Sequence, residues 1–313
     1  MLRKALDLLF LTRPTLLLPG WGFYVIGYLH AMGLMGDLSP YLGIPREPKF
    51  WWGLLSTTLI SAHIYVLNQI YDRESDRLNR KLFLIADGYV KVGEAWIFTL
   101  LLLLTSFVSG YFVGRQFLLL LSAGAVVGTL YSLPPFRLKG RPFIDALSNA
   151  LGYAVLNVAA GYVSVRADLA EALSITPPYL FAVIGLYLNT TVPDIPGDRR
   201  AGLRTTGVVL GIRRTLGLGA LAVLATLLAS LWPRMNAFML GVSSISLPFY
   251  VWAFLRADEF WAKLSYRISG LAFILLLIVK FPPFIVPSLA VLVALKAYYR
   301  LRFGLDYPSL TGR

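Results

Sequence analysis

The sequence predicts an all-α fold, a single integral-membrane domain over residues 1–313 built as a bundle of about nine transmembrane helices. Two observations carry this prediction. Hydrophobic residues make up 57% of the chain and charged residues only 14%, whereas an average soluble domain is about 25% charged. Apolar runs of about 18 residues or more also recur along the whole chain, and each can cross a hydrocarbon core of about 30 Å.

Ten apolar runs are the candidate spans. Nine are interpreted as crossings, and the tenth is left open because Phe281-Pro282-Pro283 divides one long apolar stretch into two short ones. No cleavable signal peptide is expected, since the first apolar run is short and Arg13-Pro14 interrupts it. The runs are 14–36, 51–71, 95–114, 116–133, 143–164, 175–193, 215–232, 236–255, 264–280 and 284–300.

The distribution of basic residues predicts the orientation. Of the 29 Lys and Arg residues, 23 lie at the N-terminus, after the second, fourth, sixth and eighth runs, or near the C-terminus. By the positive-inside rule these segments face the cytoplasm, so a multi-pass cell-membrane protein is expected. The basic C-terminus belongs on the same side, which favours ten crossings or a returning helix. The other six basic residues are Arg46, Lys49, Arg115, Arg166, Arg234 and Lys280.

Composition also excludes several classes of function. The net charge of +13 is explained by loops beside anionic lipid, and the sequence has no basic soluble region that would bind nucleic acid. The absence of cysteine excludes disulfides, thiolate metal sites and a cysteine nucleophile. His30 and His63 stand alone in apolar runs and are interpreted as core histidines, not as zinc ligands.

An acidic motif lies at the end of the second run. Asn68, Asp72 and Asp76 are spaced i, i+4, i+8, which places all three on one face of a helix. The two carboxylates repel each other there, and a bound cation would remove that repulsion. Carboxylates beside hydrocarbon are costly, which favours a function for them. The alternative is an ordinary solvated helix end, with Asp76 paired to Arg80.

A second acidic motif lies at the end of the sixth run and differs from the first in its expected backbone conformation. Pro193, Pro196 and Gly197 break the helix, so Asp194 and Asp198 are expected on a helix end or turn. Arginines follow at once, and surface pairing between acid and base is the alternative for this loop. Magnesium usually takes one or two carboxylates together with phosphate oxygens of a substrate. Two facing acidic motifs therefore suit two Mg²⁺ ions that bridge a diphosphate.

A basic loop after the fourth run completes the candidate site. Arg137 and Lys139 are candidate contacts to phosphate oxygens, and Tyr131 and Ser132 supply hydroxyl groups at the membrane edge. Lys91, in the loop after the first motif, is a further candidate of the same kind. For each basic residue the alternative is the positive-inside signal itself.

At these motifs the chain resembles the UbiA superfamily of intramembrane prenyltransferases, and in particular its 4-hydroxybenzoate polyprenyltransferase-like members. The first signature of that family is Asn-x-x-x-Asp-x-x-x-Asp and the second is Asp-x-x-x-Asp, often continued by Gly-Asp-Arg-x-x-Gly. Arg13-Pro14 before the first span is also typical. The matching residues of the two signatures are Asn68, Asp72 and Asp76, and then Asp194, Gly197, Asp198, Arg199 and Gly202.

The resemblance implies Mg²⁺-dependent transfer of a prenyl group, through ionisation of an allylic diphosphate, in a central cavity open to the cytoplasm. The expected partners are a polyprenyl diphosphate, a small acceptor and the lipid bilayer. Two Mg²⁺ ions bridged by the diphosphate are expected. Their implied ligands, with the catalytic carboxylates among them, are Asn68, Asp72, Asp76, Asp194 and Asp198. The implied diphosphate contacts are Lys91, Tyr131, Ser132, Arg137 and Lys139.

The chain departs from the family pattern in three places. Gln69 stands where many members have Asp, and the segment after the first motif lacks the Arg-Pro-rich run of other members. The tail beyond about residue 283 extends past a nine-span core. A quinone-type aromatic acid such as 4-hydroxybenzoate is the favoured acceptor, and a glyceryl phosphate lipid precursor is the second.

A cation-coupled transporter is the alternative from a different class of function. Transporters also place acidic residues beside broken helices, usually near the middle of the bilayer. Both acidic motifs here lie at the predicted cytoplasmic ends of spans, with arginines beside them, which favours an enzyme that handles phosphate.

Overall fold

The computed structural model describes residues 2–78, 83–200 and 202–305, and within them every regular element is helical. This confirms the predicted all-α class. The N-terminal half contains α1 (Leu2–Leu11), α2 (Pro14–Ala31), α3 (Pro48–Leu78), α4 (Phe83–Ala86), α5 (Val92–Tyr111), α6 (Arg115–Ser132), α7 (Ile144–Ala150) and α8 (Leu156–Val163). The C-terminal half contains α9 (Leu169–Ser174), α10 (Pro177–Thr191), α11 (Ile195–Arg200), α12 (Thr206–Ala229), α13 (Ala237–Arg256), α14 (Glu259–Lys280) and α15 (Ile285–Phe303).

Each of the ten apolar runs lies on one of these helices or, for the fifth run, on α7 and α8 with the π-helical turn Leu151–Val155 between them. By length and composition, seven helical segments of the described chain can cross a membrane. Those seven are Pro48–Glu74, Val92–Tyr111, Ile144–Val163, Thr206–Ala229, Ala237–Arg256, Glu259–Lys280 and Pro282–Phe303. The expected number of nine crossings is therefore not confirmed. The segment left open by the sequence forms two such helices, α14 and α15.

The helices α3 and α12 extend furthest beyond their apolar runs. The helix α3 continues through the first acidic motif to Leu78, and α12 begins at Thr206, nine residues before the apolar run 215–232, with a break in its helical backbone at Gly211 (φ 74°, ψ 171°). A membrane helix extends beyond the hydrocarbon into the headgroup region, where charged side chains such as Arg213 and Arg214 are tolerated. The ends of α3, α6 and α10 and the start of α12 lie on the side of the bundle that we call the motif face.

Helices α2 and α8 cross at a glycine contact in the largest buried cluster of apolar side chains. A Cβ atom on Gly161 would lie 1.9 Å from the carbonyl oxygen of Tyr24, and a Cβ on Gly27 would lie 1.9 Å from that of Val158. Only hydrogen fits at such distances, so the two backbones touch directly. Small residues bring membrane helices together in this way because lipid supplies no hydrophobic force between them.

We expect Gly161→Ala to destabilise the protein by about 1–3 kcal/mol, because α2 must move away from α8. Gly20→Ala on α2 is the matched control, since its Cβ would meet no atom within 4 Å. The midpoint of thermal unfolding in detergent measures both variants. Equal midpoints for Gly161→Ala and the parent would show that the close approach is not needed.

The first and last helices of the described chain are joined on the motif face. Asp7 on α1 is almost fully buried and accepts a hydrogen bond from the Tyr298 hydroxyl at 2.7 Å and another from Arg302 Nε at 3.2 Å. The rings of Phe10 and Tyr298 stack with their centroids 3.8 Å apart. The tail helix α15 is thus fastened to α1 by an ion pair and an aromatic stack.

On the opposite side of the bundle, polar side chains hold the ends of α2, α10 and α13 together. His30 Nε2 lies 2.7 Å from the Tyr179 hydroxyl, and Asn236 Nδ2 donates to the same hydroxyl at 2.7 Å. Lys280, whose side chain is 2% exposed, donates to Asp37 Oδ1 at 3.1 Å and fixes the loop after α2. His63 is buried against Thr99 as expected, whereas His30 is partly buried and bonded to Tyr179.

Candidate active site

The first acidic motif occupies the last turns of α3. Asn68, Asp72 and Asp76 lie on one continuous helix at the spacing that the sequence predicts. Asn68 Nδ2 donates to the Ser132 hydroxyl at 2.9 Å, which ties α3 to the end of α6. Arg80, the alternative partner of Asp76, lies outside the described residues.

Asp72 forms ion pairs with the basic loop after α6. Lys139 Nζ contacts Asp72 Oδ2, and Arg137 Nη2 lies 3.5 Å from Asp72 Oδ1. A single turn of 3₁₀ helix, Leu138–Gly140, brings Lys139 over the carboxylate, and Arg137 before it has left-handed backbone geometry with φ 39°. Burial lowers the pKa of the Lys139 ammonium, and the charge of Asp72 opposes that shift. The structure thus joins two segments that the sequence offered as separate candidates.

The second acidic motif follows a break in helix direction. The helix α10 ends at Thr191, one 3₁₀ turn spans Val192–Asp194, and α11 begins at Ile195. Pro193 cannot donate a backbone hydrogen bond, which accounts for the end of the regular helix. Asp198 accepts a hydrogen bond from the Thr205 hydroxyl at 3.2 Å. The expected helix end is present, although the backbone remains helical in short pieces.

Asp145 connects the basic loop to the start of α12. Its fully buried carboxylate accepts a hydrogen bond from the Thr206 backbone N–H at 2.8 Å and another from the Thr206 hydroxyl. The backbone N–H of Phe143 donates to the same Thr206 hydroxyl at 2.6 Å. Asp145 was not predicted from the sequence. An isolated Asp at the start of an apolar run was the available signal, because a carboxylate there needs buried partners.

A cavity of about 730 Å³ opens between the two acidic motifs. Arg13, Asn68, Asp72, Lys139 and Asp194 line its polar end, which we call the rim. Four tyrosines form the next zone, and apolar side chains from α2, α10, α12, α13 and α14 line the deeper part. The tyrosines are Tyr65, Tyr131, Tyr153 and Tyr187. One carboxylate from each acidic motif therefore faces the same space.

Tyrosine hydroxyls fix the first turn of α2 at the cavity wall. Tyr153 donates to the Leu16 carbonyl oxygen at 2.5 Å, and Tyr65 donates to the same oxygen at 3.2 Å. Tyr153 lies in the π-helical turn Leu151–Val155, a type of distortion often found at functional sites. Arg13, just before α2, has φ 54°. Its contribution to the rim was not among the site residues predicted from sequence.

Several predicted site residues do not line the cavity. Ser132 is buried behind Asn68, and Arg137 reaches the site only through Asp72. Lys91 is exposed at the start of α5, where its backbone N–H donates to Glu94 Oε2 at 2.8 Å. Asp76 and Asp198 each lie four residues beyond the carboxylate that lines the rim in their motif. The roles assigned to these residues stay predictions.

The oxygen atoms at the rim suit a hard cation. Carboxylate and amide oxygens are the ligands that Mg²⁺ prefers, and it usually needs only one or two carboxylates when phosphate oxygens complete its shell. Within the described residues, no three His, Asp or Glu side chains are grouped closely enough to hold a metal ion by themselves. A cation at this rim would therefore need ligands from an anionic substrate as well as from the protein.

Sequence comparison decides the family. Residues 21–263 match the UbiA prenyltransferase family. The chain belongs to that family. The predicted resemblance is thus confirmed.

Curated relatives of this UbiA family protein act on different acceptors, as their names state. The chain is 33% identical over 197 residues to 2-acyl-4-prenylphloroglucinol 6-prenyltransferase of Humulus lupulus, covering 56% of this chain and 47% of that protein. It is 31% identical over 215 residues to lycopene elongase/hydratase of Halobacterium salinarum, covering 66% of this chain and 72% of that one. The chain spans about half the length of the first plant relatives that it matches.

Solved structures share the fold. A UbiA homologue from Archaeoglobus fulgidus bound to GPP and Mg²⁺ superposes with a TM-score of 0.62 at 24% identity, covering 91% of this chain and 99% of that one. A digeranylgeranylglyceryl phosphate synthase superposes with a TM-score of 0.67 at 18% identity, covering 92% and 99%. At these identities the likeness concerns the fold alone.

Proposed function

We propose that this UbiA family protein transfers a prenyl group from a prenyl diphosphate to an aromatic acceptor, such as 4-hydroxybenzoate or a related quinone precursor. One observation carries the proposal: Asp72 and Asp194, from two separate acidic motifs, line one rim together with Lys139 and Arg13. The walls below that rim are largely apolar. An anionic head at the rim and a hydrocarbon tail below it match this division of the cavity.

The proposed cofactor is Mg²⁺, as two ions that share the substrate diphosphate. The proposed ligands are Asn68, Asp72 and Asp76 from the first motif and Asp194 and Asp198 from the second. Magnesium bound at the rim would neutralise the negative charge that the diphosphate acquires as it leaves. We also propose that the motif face is the cytoplasmic side, as the distribution of basic residues indicates.

Side chains of the protein have three further roles in this proposal. Lys139 and Arg13 bind phosphate oxygens through charge-assisted hydrogen bonds. The tyrosine zone lies where the allylic carbon would be, and aromatic faces stabilise a neighbouring carbocation. The closely packed helices exclude bulk water, which would otherwise capture the carbocation before the acceptor does.

The names of the relatives suggest two classes of acceptor. The plant relatives are named for phloroglucinol and homogentisate substrates, which supports the aromatic acceptor. The lycopene elongase/hydratases are named for a polyene hydrocarbon, and one of them aligns over 291 residues, 86% of this chain. A polyene acceptor is therefore the second candidate, and a glyceryl phosphate acceptor is the third.

Diphosphate release by the purified protein in detergent tests the proposed function. The donor is a prenyl diphosphate, with 4-hydroxybenzoate, homogentisate, lycopene or a glyceryl phosphate as acceptor. We expect release with an aromatic acceptor and its loss when EDTA removes Mg²⁺. No release with any donor and acceptor would overturn the proposal, and ion flux in liposomes would favour a transporter instead.

We expect Lys139→Met to raise the KM for the prenyl diphosphate about tenfold, because a charge-assisted hydrogen bond to phosphate is lost. The KM for the acceptor should change little. Lys91→Met is the companion variant. An equal rise in the KM of this variant for the prenyl diphosphate would show that Lys91 also binds the diphosphate, as the sequence suggested. An unchanged KM in Lys139→Met would remove Lys139 from the proposed site.

A further inference from the structure

We propose that the closed end of the cavity limits the length of the prenyl tail, and that Gly270 on α14 leaves the space for the last part of that tail. The closed end is formed by Phe23, Met239 and Phe273. This inference rests on the proposed function, since it assumes that the diphosphate lies at the rim.

The depth of the cavity follows from the helices that line it. Along α10 and the 3₁₀ turn that follows it, the lining residues run from Asp194 at the rim to Ala182, which is 12 residues and about 18 Å at a rise of about 1.5 Å per residue. Along α2, among the described residues, none beyond Phe23 lines the cavity, although the helix continues to Ala31. On α13, Met239 lies two residues from the start of the helix, at the end far from the rim. The cavity therefore ends inside the bundle.

Aromatic packing closes that end. The rings of Phe23 and Phe273 lie with centroids 4.9 Å apart, and Phe23 also contacts Tyr179 edge-on at 6.2 Å. Met239 is fully buried, and its backbone N–H donates to Asn236 Oδ1 at 3.1 Å. Behind these side chains lies the polar cluster of His30, Tyr179 and Asn236. A longer tail would have to displace packed rings and break those hydrogen bonds.

The deep wall contains hydroxyl groups but still suits hydrocarbon. Ser243, Ser246 and Thr226 each line the cavity, and each donates to a carbonyl oxygen of its own helix at 2.7, 2.7 and 3.0 Å. Their protons are directed into the helix backbone and not towards a ligand. These three hydroxyl groups therefore offer no free donor to the methylene groups of a prenyl tail.

Gly270 faces open space about one helical turn above Phe273. A Cβ at this position would meet no atom within 4 Å, so a side chain there extends into the cavity. Each isoprene unit adds four carbon–carbon bonds of about 1.5 Å, or about 5 Å when extended. The depth of about 18 Å thus holds about three to four units. A large side chain at position 270 would remove the space of about the last one.

Binding of unreactive prenyl thiolodiphosphates with two to six isoprene units, measured with Mg²⁺ present, tests this inference. We expect Kd for the parent protein to fall up to three or four units and to rise for longer tails. Gly270→Leu should weaken binding of the four-unit analogue about tenfold or more and leave the two-unit analogue unchanged. Phe273→Ala should improve binding of the five-unit analogue relative to the parent.

Gly20→Leu is the matched control, because Gly20 also has open space around it but does not line the cavity. Equal affinity of Gly270→Leu and the parent for every analogue would overturn the inference, since the tail would then leave the cavity sideways. Failure of the parent to bind any analogue would overturn it together with the proposed function. Length-dependent binding without turnover on any acceptor would support the inference and count against the proposed reaction.

Discussion

Asp72→Asn is expected to lower turnover of the prenyl diphosphate at least about a thousandfold while the protein remains folded. The amide keeps the size of the side chain but removes the charge that would hold Mg²⁺, and the loss of charge stabilisation in the transition state falls mainly on kcat. The substitution also leaves Lys139 beside a neutral group, so the diphosphate contact of that lysine should survive. Initial rates of diphosphate release, with thermal unfolding in detergent as the test of folding, measure the effect.

Asp87→Asn is the matched control for Asp72→Asn. Asp87 follows the same acidic segment of the chain but does not line the cavity, so its variant should retain the parent rate. Asp194→Asn should behave like Asp72→Asn, because it removes the carboxylate of the second motif. Near-normal turnover in either motif variant would contradict the model of two metal ions held by two motifs.

Asp145→Ala is expected to lower the free energy of unfolding by about 3 kcal/mol, because it leaves the donors of Thr206 and Ala146 buried without an acceptor. Asp145→Asn keeps one acceptor oxygen and should cost about 1 kcal/mol. The control is Asp258→Ala, which removes only the N-cap of α14 and should cost about 1 kcal/mol as well. The midpoints of thermal unfolding rank the three variants. A midpoint for Asp145→Ala no lower than that for Asp258→Ala would show that this link is not structural.

The helices were predictable because a membrane leaves few alternatives for the backbone. Runs of apolar residues that are long enough to cross a bilayer must satisfy their hydrogen bonds internally, so each run became a helix. The start of α12 was missed because Arg213 and Arg214 interrupt the apolar pattern and the helical backbone breaks at Gly211. The π-helical turn at Leu151–Val155 carries no pattern in its sequence, since it depends on how Tyr153 packs against α2.

The acidic motifs were predictable for an energetic reason, and their partners were not. Asp72 and Asp194 stood out because carboxylates are unfavourable beside hydrocarbon. The pairing of Asp72 with Lys139 spans 67 residues, and that of Asp145 with Thr206 spans 61. Contacts between residues so far apart in the sequence follow from the arrangement of the helices in space, which the hydropathy pattern of the sequence does not specify. Lys91 illustrates the converse, since a basic residue beside a motif in sequence lies away from the cavity in space.

The contact between α1 and α15 has a consequence for the order in which the protein is assembled. Asp7 and its partner Arg302 are 295 residues apart, so the ribosome makes Arg302 long after Asp7. Until α15 has been made, the carboxylate of Asp7 lacks the hydrogen bonds from Tyr298 and Arg302. Lys4 and Leu11 bind α1 to earlier parts of the chain, whereas the partners of Asp7 are supplied only once α15 has been made, and long-range contacts of this kind form late in folding.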